Sequence, residues 1–237
     1  MLSGGRLIGF GSVAETANGI DSFTQLMLHG DGTNNGTVFT DSSANAYNGT
    51  AVVNAVTTTS DSVFGGSCIS IPAAGDAVNF SGANLNPGTS NFTYDFRIKW
   101  SAVSGVRGIY SGQNSGSTTL QMRTNGGSFD IFTNGGSEYT SASSFFSTGT
   151  WYWIVVQRES NALRVWKDGT EVTTFGGGDG RANWNINLSA TGNNYGIGWN
   201  QGSKSGAGLL IDEFRYSNTA RFPSGGSTIS VPSAAYS

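Results

Sequence analysis

This 237-residue chain has few of the histidine and cysteine side chains that acid–base or nucleophilic catalysis commonly uses. His29 is the only histidine and Cys68 the only cysteine, so a Ser-His-Asp or Cys-His mechanism would have to use His29. Nothing nearby resembles a nucleophile elbow, and the alternating segment Cys68-Ile69-Ser70-Ile71 predicts a small buried thiol. The sequence therefore gives no support for nucleophilic catalysis.

The carboxylates are also spaced wrongly for glycoside hydrolysis. That chemistry needs two carboxyl groups facing one site, about 5 Å apart in retaining enzymes. The chain has five glutamates, none of which has another acid two residues away: Glu15, Glu138, Glu159, Glu171 and Glu213. Asp212 and Glu213 are adjacent, and neighbours on a regular strand point to opposite faces. We therefore expect a protein that is not an enzyme and has no catalytic residues.

Aromatic and polar side chains in two turn-rich segments are better candidates for binding. Carbohydrate sites combine an aromatic ring face with side-chain and main-chain groups that bond hydroxyls. Segment 181–185 reads Arg-Ala-Asn-Trp-Asn, and segment 193–201 reads Asn-Asn-Tyr-Gly-Ile-Gly-Trp-Asn-Gln. We predict carbohydrate contacts at four residues: Arg181, Trp184, Tyr195 and Trp199. The alternative is that the two tryptophans close the end of a β-sandwich.

The composition indicates what kind of fold positions these residues. Glycine occurs 36 times and charged residues make up 11%, yet 37% of residues are hydrophobic and 12% aromatic. This mixture is typical of short strands joined by many turns, and the length suits one large all-β domain. The net charge is −3 with no basic cluster, which argues against nucleic-acid binding. No apolar run approaches the roughly 18 residues of a membrane span, so we expect no membrane insertion.

Several segments alternate as half-buried strands do. Residues 92–100 place five apolar side chains on one face, whereas residues 151–157 are apolar on both faces and predict a central strand. Asp168-Gly169 separates two alternating runs and predicts a hairpin with a type I′ turn. The alternation does not fix which member of each neighbouring pair faces inward. With that choice left open by one residue, the expected core between the sheets is Phe92, Phe96, Trp153, Val155, Leu163, Val165, Leu210 and Phe214.

The order of these elements resembles the laminin-G-like, concanavalin-A-like jelly-roll family. The resemblance rests on the following pieces, in order along the chain: Leu26-Met-Leu-His-Gly-Asp-Gly32, Phe39-Thr-Asp-Ser-Ser43, Phe64-Gly-Gly-Ser-Cys-Ile-Ser-Ile71, Phe92-Thr-Tyr-Asp-Phe-Arg-Ile98, Trp151-Tyr-Trp-Ile-Val-Val-Gln-Arg158, Leu163-Arg-Val-Trp-Lys-Asp-Gly169 and Ile211-Asp-Glu-Phe-Arg-Tyr-Ser-Asn-Thr-Ala-Arg-Phe222. It implies a two-sheet antiparallel jelly-roll sandwich over residues 23–222. Residues 1–22 would form an N-terminal arm and residues 223–237 a C-terminal tail.

The resemblance also implies a metal. Many members of the family hold Ca²⁺ with aspartate and asparagine oxygens and loop carbonyls, the ligands that a hard cation prefers. Asp31 and Asp41 flank the first long loop, and Asp212 lies on a strand close to it, so these three are the expected ligands of a structural Ca²⁺. The alternative is that they stabilise turns by accepting hydrogen bonds from local backbone N–H groups.

Function is less constrained than fold, because this scaffold serves lectins, enzymes, adhesins and virion proteins. The surface is polar and turn-rich, as in extracellular adhesive proteins, yet residues 1–11 lack the unbroken apolar run of a secretory signal. A phage virion component satisfies both observations, because it assembles in the host cytoplasm and reaches the outside by lysis.

The favoured hypothesis is a non-enzymatic virion structural protein of the tail, fibre or capsid surface. It would contact other virion subunits and host-surface glycans, assemble as a homo-oligomer, and use residues 1–22 and 224–237 as arms that order only against other subunits. The alternatives are a stand-alone carbohydrate-binding module exported by an unrecognised route and a divergent glycoside hydrolase or lyase.

Overall fold

The computed structural model describes residues 19–81, 85–112, 120–133, 136–173, 184–188, 194–200, 202–222 and 228–237. Within these ranges the chain forms strands, turns and irregular segments, and two eight-stranded antiparallel sheets pack as a sandwich. The predicted all-β jelly-roll class is confirmed. In the same ranges, no helix has the length and apolar character that crossing a membrane requires.

One sheet, called sheet A, contains the strands that the sequence indicated most clearly. Its strands are β1 (Thr24–Leu28), β4 (Val56–Thr58), β5 (Cys68–Ile71), β7 (Phe92–Trp100), β12 (Tyr152–Glu159), β13 (Ala162–Lys167), β14 (Thr170–Glu171) and β18 (Leu209–Ser217). They lie in the order β14-β13-β12-β7-β18-β5-β4, and β1 pairs with the second half of β18.

The second sheet, called sheet B, carries most of the glycine-rich strands. Its strands are β2 (Val38–Phe39), β3 (Gly49–Val52), β6 (Ala77–Ser81), β8 (Val106–Gly112), β9 (Gln121–Asn125), β10 (Ser128–Thr133), β11 (Gly136–Thr140) and β15 (Asn194–Ile197). They lie in the order β11-β10-β9-β8-β15-β6-β3-β2. A short hairpin of β16 (Trp199–Asn200) and β17 (Ser203–Lys204) follows β15.

The hairpin predicted at Asp168-Gly169 is present, because both residues adopt the positive φ that a type I′ turn requires, +48° and +80°. The Asp168 carboxylate also accepts a hydrogen bond from the Trp153 backbone N–H at 2.8 Å. The turn is therefore fixed both by its own residues and by the neighbouring strand β12.

The core between the sheets follows the alternation along β7, where Phe92, Phe96 and three further apolar residues point inward. Three of the predicted core residues lie elsewhere. Trp153 and Val155 belong to a small second cluster on the outer face of sheet A, and Leu210 is half-buried opposite Lys99. For Trp153 and Val155 the reason is that β12 is apolar on both faces, so its period of two does not tell which face meets sheet B.

The second cluster is covered by residues 228–237, called here the C-terminal segment. Ile229 packs against Trp153, Trp166 and Phe222, and the Arg97 guanidinium donates to the Pro232 carbonyl at 2.6 Å. These residues are therefore ordered against their own domain. The expectation that they order only against other subunits is wrong for this part of the tail.

Tyr236 anchors the end of the C-terminal segment among buried charged groups. Its ring lies 4.0 Å from the Arg215 guanidinium, its hydroxyl donates to Asp95, and its backbone N–H donates to Glu213 at 2.8 Å. Arg215 and Asp95 are themselves a fully buried ion pair, with Nε and Oδ2 3.0 Å apart. The C-terminal segment thus forms a second packed layer on the outer face of sheet A.

Candidate functional site

The outer face of sheet B carries a continuous row of residues that are small or polar except at its two ends. The strand register places seven residues side by side from β2 to β10, called here the polar row: Val38, Thr50, Asn79, Gly196, Ser111, Gln121 and Phe132. Directly opposed residues of antiparallel strands share a face. Tyr195 and Ile197, on either side of Gly196, belong to the core. The polar row therefore faces away from the core.

Two glycines on this face make room for Trp199. A Cβ atom on Gly196 would lie 2.3 Å from the Trp199 ring, and one on Gly108 would lie 2.3 Å from the Trp199 backbone. The indole N–H donates to the Asn79 side-chain oxygen at 2.9 Å, and the Lys204 ammonium lies 5.2 Å from the ring centre. The β16–β17 hairpin is thus laid across the outer face of sheet B.

Arg123 and its partners occupy the same face beside the polar row. Its Nε lies 3.3 Å from the Asp130 carboxylate, which also accepts from the Ser128 hydroxyl at 2.9 Å. Its guanidinium lies 3.7 Å from the centre of the Phe132 ring. Guanidinium planes stack well on aromatic rings, so charge pairing and stacking together hold this arginine flat against β9 and β10.

Two amide oxygens at this place lack partners. Gln121 Oε1 and Asn200 Oδ1 are buried from solvent and have no hydrogen-bond partner among the described residues. Asn200 lies over β8, because its backbone nitrogen is 2.9 Å from where a Gly108 Cβ would be. A buried polar atom without a partner is destabilising by about 1–3 kcal/mol, so these two positions weaken the packing on this face. Both are acceptors, and neither is exposed to a ligand on this face.

The residues predicted from sequence as carbohydrate contacts divide between two environments. Trp199 lies on the outer face of sheet B, with 8% of its surface exposed. Trp184 packs in the core against Phe92, with ring centres 5.9 Å apart, and Tyr195 faces inward, where burial raises the pKa of its hydroxyl to about 12. Trp184 is 2% and Tyr195 4% exposed, and Tyr195 lines a small cavity together with Tyr110. Arg181 lies outside the described residues.

Sequence reasoning missed Gln121, Arg123, Asp130 and Phe132, although a signal exists. Segment 121–132 alternates around Gly126-Gly127, both at positive φ, as a β-hairpin does. Met122, Phe129 and Ile131 occupy the core positions. Arginine, aspartate and phenylalanine at the remaining positions mark a functional candidate, because these types recur in binding sites.

The predicted metal ligands Asp31 and Asp212 come together on the outer face of sheet A. Asp212 Oδ2 accepts hydrogen bonds from the Val63 and Phe64 backbone N–H groups at 2.7 and 3.0 Å. The Asp31 carboxylate lies against Gly65, the residue that follows Phe64, so closely that a Cβ on Gly65 would collide with it. The two carboxylates thus flank one turn, and burial raises the pKa of both, that of Asp212 to about 6.

A β-bulge places Glu213 on the same face as Asp212. Glu213 adopts a φ of +51°, and the pairing of β18 with β7 shifts between Asp212 and Arg215. Its carboxylate accepts from the Tyr236 backbone N–H and lies 2.8 Å from His29 Nδ1, beside the C-terminal segment. The prediction that the adjacent acids point to opposite faces is therefore wrong, because an inserted residue re-aims the side chain that follows it.

Asp41 lies apart from this pair, with its oxygens already occupied. It accepts hydrogen bonds from the Met27, Ser43 and Tyr47 backbone N–H groups at 2.8–2.9 Å. This is the turn-stabilising arrangement named above as the alternative. Asp41 does not fit a metal ligand, whereas Asp212 does: its Oδ1 is buried and has no partner among the described residues. Those residues contain no group of three or more histidine, cysteine or acidic side chains suited to a metal.

Comparisons with known proteins agree with this architecture. A family model described as the concanavalin A-like lectin/glucanases superfamily matches residues 72–224. No curated protein matches the sequence significantly.

Solved structures of the same fold include enzymes and receptor-binding domains. A Trypanosoma rangeli sialidase in complex with sialic acid superposes with a TM-score of 0.58 at 11% identity, over 84% of this chain and 31% of the sialidase chain. The receptor-binding domain of botulinum neurotoxin D gives a TM-score of 0.59 at 13% identity, over 84% of this chain and 50% of that chain. The chain thus spans about a third of the sialidase and half of the toxin domain. Identities this low support a shared fold alone.

Proposed function

Because the chain belongs to the concanavalin A-like lectin/glucanases superfamily, we propose that it is a non-enzymatic binding protein whose ligand is a glycan. The binding surface in this proposal is the outer face of sheet B. The observation that carries it is the stacked Arg123–Phe132 pair, whose partly exposed ring lies beside the amide side chain of Gln121 in the polar row. Amide groups beside an aromatic ring are what sugar hydroxyls and C–H faces require.

The non-enzymatic part of the proposal draws on how two carboxylates, one on each outer face of the sandwich, are bonded. Asp130, on the proposed face, is bonded to Arg123 and Ser128. Glu213 is the acid that the bulge places beside Asp212, but its two oxygens are engaged with His29 and the backbone of Tyr236. Carboxylates held in this way are poor proton donors or nucleophiles, since their oxygens already bond other groups.

We also propose that the protein works in a phage virion, as a tail, fibre or capsid-surface component among other virion subunits. The weakly charged, turn-rich composition supports this setting, and so does the position of the chain ends. The Ile20 backbone N–H donates to the Ser237 carbonyl at 3.0 Å on the outer face of sheet A, so both ends of the described chain lie opposite the polar row. Anchoring through either end leaves the outer face of sheet B accessible.

Two measurements test these proposals separately. Glycan-array binding by the purified protein tests the ligand, and Gln121→Ala should weaken any binding found there. Binding to no glycan would overturn the glycan part. Product release from a bound polysaccharide would overturn the non-enzymatic part. Mass spectrometry of purified particles tests the location: absence of the protein there, combined with glycan binding, would favour a stand-alone lectin-like module.

A further inference from the structure

We infer that the outer face of sheet B binds an acidic glycan, and that Arg123 and Lys204 are the side chains that attract its carboxylate or sulfate groups. This inference rests on the proposed function, which fixes the ligand class as a glycan but not its charge. Both cations lie on the face that carries the polar row. The bonds that they already make, and the charges around them, decide between a neutral and an acidic ligand.

The strand register and two close contacts relate the two cations in space. Arg123 on β9 is paired with Gly108 on β8. The Trp199 backbone crosses over Gly108, and its indole continues over Gly196 on β15, at 2.3 Å from where a Cβ would lie in each case. Lys204 is paired with Trp199 in the β16–β17 hairpin. Neighbouring strands are about 4.8 Å apart, so the two cations lie roughly 10–15 Å apart with Trp199 between them, a distance that a short oligosaccharide spans.

The end of the Arg123 guanidinium is open. Asp130 accepts a hydrogen bond from Nε at 3.3 Å, whereas no described residue accepts one from Nη1 or Nη2, and neither of these atoms is buried. Stacking on Phe132 uses the flat face of the guanidinium and leaves its in-plane N–H groups free. The paired N–H groups of a guanidinium bind a carboxylate or a similar oxyanion bidentately. Asp130 and Phe132 therefore hold Arg123 in place without using these donors.

Lys204 makes its contact with a ring and forms no ion pair with a described residue. Its ammonium lies 5.2 Å from the centre of the Trp199 indole, which orients it but does not neutralise it. An ammonium in this state binds a carboxylate or a sulfate in preference to a hydroxyl, because the opposite charge adds Coulomb attraction to the hydrogen bond.

The surrounding charges favour an anion as well. Among the side chains described for sheet B and the β16–β17 hairpin, the cations are Arg107, Arg123 and Lys204, and the one acid is Asp130. Asp130 is occupied, since it also accepts from the Ser128 hydroxyl at 2.9 Å. The whole chain has a net charge of −3, so positive charge is concentrated on this side of the sandwich. Such a surface attracts anionic ligands and repels few of them.

The experiment compares glycans that differ in charge. Titration calorimetry of the full chain uses lactose against 3′-sialyllactose and lactose 3′-sulfate, and methyl-esterified trigalacturonate against the free acid. At least one acidic member should bind about tenfold more tightly than its neutral counterpart, and the two lactose derivatives distinguish a carboxylate from a sulfate. A preference below about threefold, or tighter binding of the neutral members, overturns this inference and leaves the proposed function standing. Binding to no sugar, here or on a glycan array, overturns the proposed function itself.

The salt dependence of the affinity tests the role of charge in the unaltered protein. Between about 0.1 and 1 M salt the screening length falls from about 10 to 3 Å. The affinity for the acidic glycan should therefore fall several-fold, whereas any affinity for a neutral sugar should stay within about twofold. An acidic glycan that binds equally well at both salt concentrations would contradict a site built on Arg123 and Lys204.

Variants of the two cations locate the site. Arg123→Gln and Lys204→Gln should each weaken binding of the acidic glycan about fivefold or more. Arg164→Gln is the matched control, because this arginine is paired with Glu171 at 2.9 Å on sheet A, and it should bind as wild type does. Arg123→Gln leaves the buried Asp130 without its cation, so thermal unfolding is measured beside binding, and Lys204→Gln on the surface hairpin carries the test if Arg123→Gln does not fold. Wild-type affinity in Lys204→Gln, or an equal loss in Arg164→Gln, would overturn the inference.

Discussion

At the scale of single residues, the buried carboxylates differ in whether they have partners. Asp95, Asp212 and Glu213 are buried, and two of them have specific partners: Arg215 for Asp95, and His29 with Tyr236 for Glu213. Asp212 differs, because one of its oxygens has no partner among the described residues and burial raises its pKa to about 6. A buried carboxylate left half-satisfied beside a second carboxylate is the arrangement that a hard cation would stabilise.

We predict that Ca²⁺ stabilises the protein through Asp31 and Asp212. At a free concentration about 100 times Kd, binding adds about 2.7 kcal/mol to the free energy of unfolding, which corresponds to a rise in Tm of roughly 5–10 °C. Differential scanning fluorimetry with Ca²⁺ and then EDTA measures the rise and its reversal. Asp212→Asn and Asp31→Asn should both lose the response, whereas Asp61→Asn, a change in the loop between β4 and β5, should keep it. An unchanged Tm of the wild type in Ca²⁺ would contradict the site.

A second prediction at this scale concerns pH. The Asp61 carboxylate accepts from the Lys99 ammonium at 2.6 Å and from the Trp151 indole at 3.0 Å, and these bonds hold its pKa below the ordinary value. A depressed carboxyl pKa contributes stability that is present above the unfolded-state pKa and is lost as the pH falls through the folded-state pKa.

Asp61→Asn should therefore lower the free energy of unfolding at pH 7 and pH 5 by up to about 1 kcal/mol, the range for a partly exposed pair. Below pH 3 the difference from wild type should shrink towards zero. Urea denaturation followed by tryptophan fluorescence measures it at each pH. A deficit of the same size at pH 7, 5 and below 3 would mean that the charge of Asp61 is not its cause.

At the scale of elements, stability depends on a segment without regular secondary structure. The C-terminal segment covers Trp153 and Trp166 and brings Tyr236 onto the Arg215–Asp95 pair. Without this cover, a fully buried ion pair and two large aromatic rings would face water. The segment therefore contributes to the fold as a strand of sheet A does, although it is paired with that sheet at only a few points.

We predict that truncating Tyr236 is as destabilising as a change in the main core. Tyr236→Phe removes one hydrogen bond to a buried carboxylate and should cost about 1–3 kcal/mol. Tyr236→Ala also removes the ring over Arg215 and should cost about 3–5 kcal/mol. Chemical denaturation measures both, with the exposed Ser233→Ala as the control within about 0.5 kcal/mol of wild type. Wild-type stability of Tyr236→Ala would mean that the segment is not part of the folded domain.

The elements also show which parts of the structure could be predicted from the sequence. Strand β7 and the β13–β14 hairpin were predictable, because their patterns depend on local alternation and on a turn that needs positive φ. The inward face of β12 and the bulge at Glu213 were not, because neither a two-sided apolar strand nor one inserted residue leaves a periodic signal. The outer face of sheet B was predictable only in part. The alternation along its strands was visible, but Asn79, Ser111 and Gln121 are aligned by pairing between strands far apart in sequence, which alternation does not reveal.

For the whole molecule, the two outer faces of the sandwich differ in the groups that they carry. The outer face of sheet A holds both ends of the described chain, the C-terminal segment and the Asp31–Asp212 pair. The outer face of sheet B holds the polar row and the stacked Arg123. If the protein is anchored in a virion through its ends, sheet A faces the particle and sheet B faces outward. This orientation follows from the proposed function together with the topology, and it can be tested on intact particles.

The test uses the low reactivity of the native thiol. Cys68 is fully buried and burial raises its pKa to about 12, so maleimide labelling of the wild type should be negligible, since only the thiolate reacts. Val38→Cys, on the polar row at 62% exposure, and Ala234→Cys, exposed on the C-terminal segment, should both react in the free protein. In purified particles Val38→Cys should stay reactive, whereas Ala234→Cys should react at least tenfold more slowly. The reverse pattern would mean that sheet B is the docking face, in which case the polar row recognises a virion subunit and the glycan proposal loses its surface.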